Sequence, residues 1–193
     1  MKNLLCLLSL ILLIAQPLVA QSWQLVSKDF TINGTSNVHD WTSNVTTVNW
    51  SGHFVFAEDG TLQINNGKIT IPVSGIKSTK GRIMDGKTYD ALKKDSHPNI
   101  LFTASSVTAT ANGTNSYTAN VKGTLSIAGV RKQVTVKVTI KEIGEGKVNL
   151  SGSYALKMTD FGIDPPTALM GTMTTGDDVT LKFSLDLSQS SKS

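Results

Sequence analysis

Apolar and polar residues alternate with a period of two through most of this chain, and that limits what it can fold into. Val134, Val136, Val138 and Ile140 alternate with Thr135, Lys137, Thr139 and Lys141, and only Lys132 breaks the apolar register that starts at Val130. Further on, Val179, Leu181, Phe183, Leu185 and Leu187 alternate with Thr180, Lys182, Ser184 and Asp186. Successive side chains on a strand point to opposite faces, so each run has one dry face and one wet face. Many half-wet antiparallel strands must close or stack to protect their dry faces and edges. A closed sheet of this kind can hold an apolar cavity.

The pattern predicts strands near 22–32, 36–46, 47–57, 61–73, 100–110, 116–127, 130–142, 147–158 and 178–187. Asn33–Gly34, Asp59–Gly60, Asn65–Asn66–Gly67, Asn112–Gly113, Gly144–Glu145–Gly146 and Gly176–Asp177 supply turn chemistry between them,. Short connections imply neighbouring antiparallel strands. The expected fold is therefore all-β, an up-and-down antiparallel barrel of about eight or nine strands. Two segments lose the alternation. Residues 86–94 have helical character, with Tyr89 and Leu92 spaced to share a face, and His97–Pro98 closes the helix,. Residues 159–176 carry Phe161, Leu169, Met170 and Met173, too apolar for an idle loop,. That segment is expected to close one end of the barrel, as a lid touching a guest or as a plug over a filled core.

Residues 1–20 are a different object. Lys2 is followed by an apolar run from Leu4 to Ile14 and a small-residue end at Ala20, the form of a secretory signal peptide cut near Ala20–Gln21,. The run is too short to span a bilayer, so no transmembrane anchor is expected in the mature chain. Residues 21–188 then read as a single domain and 189–193 as a polar tail, placing the protein in the periplasm or outside the cell,.

Composition removes several chemistries. Cys6, inside the leader, is the sole cysteine, so the mature chain has no disulfide, thiol nucleophile or thiolate metal site,. His39, His53 and His97 lie in no metal-ligand spacing, and His39–Asp40 would point to opposite faces of a strand,. No metal is expected. Asp160-Phe-Gly162 copies a kinase triplet without the rest of a kinase,. The net charge of +4 is spread out rather than gathered into a stripe with stacking aromatics, which argues against nucleic acid,. Asn33, Asn44, Asn49, Asn112 and Asn149 begin N-x-S/T triplets that matter only in a glycosylating host,.

The dry faces carry Gly52, Gly123 and Gly152 in mid-series, where a filled core would place Val or Leu. Such glycines either bend the sheet at its corners or open space for a guest.

The residues together resemble the YceI family of exported, lipocalin-like proteins. The resemblance runs from Trp23 to about Leu187,. It is carried by the His39 hairpin, Ile76-Lys-Ser-Thr79 leading to Arg82 and Asp85, and Tyr89-Asp-Ala-Leu92. His97-Pro-Asn-Ile-Leu-Phe102, Gly123-Thr-Leu-Ser-Ile-Ala-Gly-Val130, and Thr159-Asp-Phe-Gly-Ile163 with Gly176-Asp-Asp-Val179 complete it. One departure is that Arg82 and Asp85, often adjacent in the family, are separated here.

The resemblance implies a non-enzymatic binder or carrier of a long apolar lipid or amphiphile, polyisoprenoid or quinone-like, with no other cofactor. The expected tunnel lining is Trp50, Phe54, Phe56, Phe102, Val121, Leu125, Val136, Tyr154 and Phe183, joined by Phe161 and Met170 from the closing segment. A polar head would sit at the mouth near Arg82 or His97. The alternatives are a small exported enzyme with its site at the barrel mouth, and a structural or stress-response surface protein with a filled core.

Overall fold

The structure, a computed structural model, describes residues 22–57, 61–168 and 171–190. The leader at 1–20 and the Asp59–Gly60 turn lie outside the described residues. The strands are β1 (Trp23–Ser36), β2 (Trp41–Val45), β3 (Asn49–Phe56), β4 (Leu62–Pro72), β5 (Ile76–Ser78) and β6 (Asn99–Ala111). They continue as β7 (Ser116–Ile127), β8 (Val130–Gly144), β9 (Lys147–Lys157), β10 (Thr167–Ala168) and β11 (Met173–Gln189). A helix, α1 (Arg82–Ala91), follows β5.

The fold is the expected all-β one. A single antiparallel sheet runs in the order β3-β4-β6-β7-β8-β9-β11-β1-β2-β5, with β10 pairing β11 beside that path. Strands β6 to β9 form an up-and-down meander, and β1 returns to pair with β11. The sheet curls until the β3 edge faces the start of β1, where Trp23 meets Phe54 edge-on at 4.9 Å. At the opposite end the chain crosses the seam between β2 and β3, and the amide and hydroxyl of Thr46 both donate to the Gly75 carbonyl at 2.8 Å.

Alternation sorts the faces as the sequence predicts. Val134, Val136, Val138 and Leu185 are buried, and Thr135, Lys137 and Lys182 are exposed. Leu181 and Phe183 are half-buried because they border open interior space. Lys132, the register breaker, sits 2.9 Å from Asp160 and 5.8 Å above the Phe161 ring. Its charge meets a partner, and its stem covers an apolar ring.

Three expected turns are not turns. Asn33–Gly34 continues β1, because the Asn33 side chain bonds within the sheet and Gly34 gives the Trp41 ring a place to lie. Asn65–Asn66–Gly67 forms a bulge inside β4: Asn66 takes φ 53° and the pairing with β3 slips between Ser51 and His53,. Gly176–Asp177 lies within β11. Asn112–Gly113 and Gly144–Glu145–Gly146 do close hairpins, with Gly113 at φ 110° and Gly146 at φ 61°,.

The helix also starts earlier and stops sooner than the 86–94 expected. Gly81, at φ 92°, turns the chain out of β5, and the Asp85 carboxylate accepts from the Ser78 amide at 2.7 Å. The helical turn therefore begins beside β5. It ends at Ala91, six residues before His97, where Lys93 takes φ 54° and its carbonyl accepts from the His97 amide at 2.8 Å.

Candidate binding cavity

Two cavities lie end to end inside the curled sheet. The inner one, about 110 Å³, is walled by strands alone. Its lining is aliphatic and aromatic, and Trp50 and Tyr154 are the lining residues whose side chains carry polar atoms. The outer one, about 290 Å³, opens between the β1–β2 hairpin, α1 and the segment after β9. Ile100 and Leu181 line both, so the two cavities abut.

The mid-strand glycines explain how the inner wall is built. A Cβ on Gly123 would stand 2.6 Å from the Phe102 ring and 2.5 Å from the Thr103 carbonyl. One on Gly152 would stand 2.8 Å from the Phe183 ring, and one on Gly52 2.7 Å from the Trp50 ring. None of the three borders open space. Each is the seat of an aromatic ring, whose outer atoms lie over the bare backbone where a Cβ would stand,. Glycine here shapes the wall through its aromatic partner.

The mouth is built from less regular chain. Along α1 and its C-cap, Met84, Lys87, Thr88, Ala91 and Leu92 line the cavity, a helical stripe at i, i+3, i+4, i+7 and i+8,. Tyr89 faces away from it: its hydroxyl donates to the Ser74 carbonyl at 3.0 Å and accepts from Lys77 at 2.6 Å. That hydrogen bond holds the Lys77 ammonium above its ordinary range. Tyr89 and Leu92 thus serve different partners, and Tyr89 fastens the helix to the edge of the sheet.

The segment after β9 begins with a tight turn, Thr159–Phe161, that buries Phe161 to 1 % exposure. Asp177 anchors it, accepting from the Thr159 amide at 2.8 Å and the Thr159 hydroxyl at 2.7 Å. These bonds pull the Asp177 carboxyl below its ordinary value. Lys93 reaches across to the Gly162 carbonyl at 3.2 Å, joining this segment to the end of the helix. Ile163, Pro166 and Met173 then face the mouth cavity.

The titratable groups lining the mouth are His39, Lys80 and Lys87, with no carboxylate among them. Asp85 is nearby but buried, held by the Ser78 amide and 3.7 Å from Lys77. Among the described residues, no group of three or more His, Asp or Glu side chains converges as a metal site.

Of the residues expected in the lining, Trp50, Phe102, Val121, Leu125, Val136, Tyr154 and Phe183 surround the inner cavity. Phe54 lies behind that wall, stacked on Trp50 at 5.9 Å. Phe56 is 41 % exposed at the far end, edge-on to Tyr117. Phe161 is a buried brace of the closing segment, and Met170 lies outside the described residues. Arg82 is exposed and His97 packs against Gly129, and neither lines either cavity. Sequence reasoning missed most of the mouth: Ile32, Trp41, Met84, Leu92, Ile127, Met158 and Val179 among others. The helical stripe from Met84 to Leu92 was the available signal.

Residues 23–187 match the YceI-like domain. The chain belongs to the YceI family. Several solved structures share its fold. Burkholderia cenocepacia BcnA superposes with a TM-score of 0.64 at 20 % identity, covering 82 % of this chain and 95 % of that one. A polyisoprenoid binding domain from Saccharophagus degradans, implicated in plant cell wall breakdown, gives 0.66 at 12 % identity, covering 89 % and 99 %. The Campylobacter jejuni YCEI protein gives 0.60 at 20 % identity, covering 78 % and 85 %. No curated protein sequence matches the chain. At these identities the likeness is one of fold, and the cavity must speak for the function.

Proposed function

We propose that the protein is an exported, non-enzymatic binder and carrier of one long apolar lipid of the polyisoprenoid or quinone-like class. The observation that carries this reading is the pair of abutting cavities, an all-apolar inner one of about 110 Å³ behind a mouth of about 290 Å³. Each methylene moved from water into such a space gains about 0.8 kcal/mol, before ordering costs. An apolar chain gains over its whole length, whereas a compact polar substrate would find only the Trp50 and Tyr154 side chains as polar groups around the inner cavity. The tail lies against Phe102, Tyr154 and Phe183, and the head stays at the mouth beside His39, Lys80 and Lys87. Arg82 and His97 take no direct part.

The name of the Saccharophagus neighbour supports the ligand class. Lys2, the run from Leu4 to Ile14 and Ala20 support export to the periplasm or beyond,. Among the described residues no helix is long and apolar enough to cross a membrane. The test is solvent extraction of the protein purified from its own host, followed by mass spectrometry. One isoprenoid-class lipid per chain is expected. A protein that is free of lipid and takes up neither prenols nor quinones would overturn the reading.

A further inference from the structure

Among the described residues, Val38 and Ile83 are the most exposed of the large apolar side chains, at 61 % and 81 %. They are far apart in sequence yet sit at the same place in the fold. Strand β2 begins at Trp41 and pairs with β5, which ends at Ser78; Thr79 extends that ladder through its amide to the Thr42 carbonyl. Val38 precedes that end of the ladder and Ile83 follows it, so both project beyond the same rim. Their neighbours His39, Lys80 and Met84 line the mouth cavity. Two bare hydrophobes therefore flank the opening through which a lipid would pass.

The charge around them leans basic. Lys77 and Asp85 face one another at 3.7 Å. Lys80, Arg82 and Lys87 carry no ion pair among the described residues, and the exposed acids near the opening are Asp40, Asp90, three residues after Lys87 on the helix, and Asp164 beside Ile163. Exposed aliphatic side chains set among unpaired cations are the chemistry that meets an anionic bilayer surface: the hydrophobes enter between head groups and the cations meet phosphates. A protein partner would need a broad, shaped apolar face. Two isolated points ringed by cations do not offer one.

We infer that the mouth rim, through Val38, Ile83, Lys80, Arg82 and Lys87, docks on anionic phospholipid membranes with the cavity opening facing the bilayer. Lipid then passes between bilayer and cavity without crossing water. The docking itself needs no cargo, so it stands or falls separately from the proposed carrier role.

The test is flotation of the exported protein, its N terminus checked by mass spectrometry, with phosphatidylcholine vesicles containing phosphatidylglycerol or lacking it. The wild type should float with the anionic vesicles and should be released by salt. Ile83→Ser should weaken binding about tenfold, as expected for losing one inserted aliphatic side chain. Lys80→Gln and Lys87→Gln should each weaken it about fivefold, on anionic vesicles alone. Ile143→Ser removes an exposed aliphatic at the opposite end, 50 % exposed, and should change nothing. Circular dichroism checks that each variant is folded. Failure of the wild type to float, or equal losses for Ile83→Ser and Ile143→Ser, would overturn the inference. Binding that ignores phosphatidylglycerol and the two lysines would overturn its electrostatic part.

Discussion

The inner cavity and the mouth are made in opposite ways. The inner wall is regular strand, with each lining ring seated on a glycine or packed against its neighbours: Phe102 on Gly123, Phe183 on Gly152, Trp50 on Gly52. Nothing there can move without disturbing hydrogen-bonded neighbours. The mouth is a hairpin, a ten-residue helix and an irregular segment, joined by a few side-chain bonds such as Tyr89 to Ser74 and Asp177 to Thr159. On the proposed function, a rigid apolar interior would fix the class of guest. A looser entrance can admit the guest and meet its head.

If that division holds, substitutions at the two ends should fail differently. Phe161, with Ile163 beside it, ties the mouth to the core, both buried in an otherwise irregular segment. Phe161→Ala should cost about 3–5 kcal/mol, read by urea denaturation. A cost below 1 kcal/mol would mean that the closing segment is a detachable flap. In the inner wall, Gly123→Ala places a methyl against the Thr103 carbonyl and the Phe102 ring. It should cost roughly 1–3 kcal/mol, and lipid uptake should fall with it. An unchanged midpoint would show that the wall yields and that the contrast with the mouth is false.

The junction sharpens the comparison without touching stability much. Leu181 borders both cavities, so Leu181→Trp should narrow the passage between them. Affinity for a long prenol should fall about tenfold, while a short one held by the mouth alone keeps its affinity. Equal losses for both chain lengths would place the whole ligand in one cavity.

The smallest effect is electrostatic. Hydrogen bonds from Thr159 hold the Asp177 carboxyl below its ordinary value of 3.8. A depressed carboxyl contributes its stabilisation above that ordinary value and loses it as pH falls through the folded one. Protection of the Thr159 amide, measured by hydrogen exchange against an unstructured reference peptide, should therefore drop in acid. In Asp177→Asn it should be lower at neutral pH and flat with pH. A variant with the wild-type acid response would show that Asp177 is not the anchor. Because this carboxyl is solvent-exposed, the change should stay local to the closing segment.

The same contrast governs what the sequence makes legible. Strands buried on one face write their register in the chain, so the alternation from Val134 to Ile140 and from Val179 to Leu187 locates the inner wall and most of its lining. The glycines are visible but not their meaning, because the rings of Phe102 and Phe183 are seated across two strands, which is a tertiary fact. The turns at Asn33–Gly34 and Asn65–Gly67 misled for a related reason. The dipeptide that permits a tight turn also permits a bulge or a seat for Trp41, and only pairing decides between them. The mouth was read least well. Its lining comes from separate irregular pieces, and Lys87 or Met173 shows no sign in sequence of facing the same space as Ile32.

The central claim is that one apolar chain runs from the mouth into the strand-walled interior. Trp41 lines the mouth and Trp50 the inner cavity, so two single-tryptophan proteins report the two ends. A prenyl chain carrying a nitroxide at its tail should quench Trp50 more strongly than Trp41, and one labelled beside its head should do the reverse. Quenching of Trp41 alone by both probes would contradict the account, because it would leave the inner cavity empty.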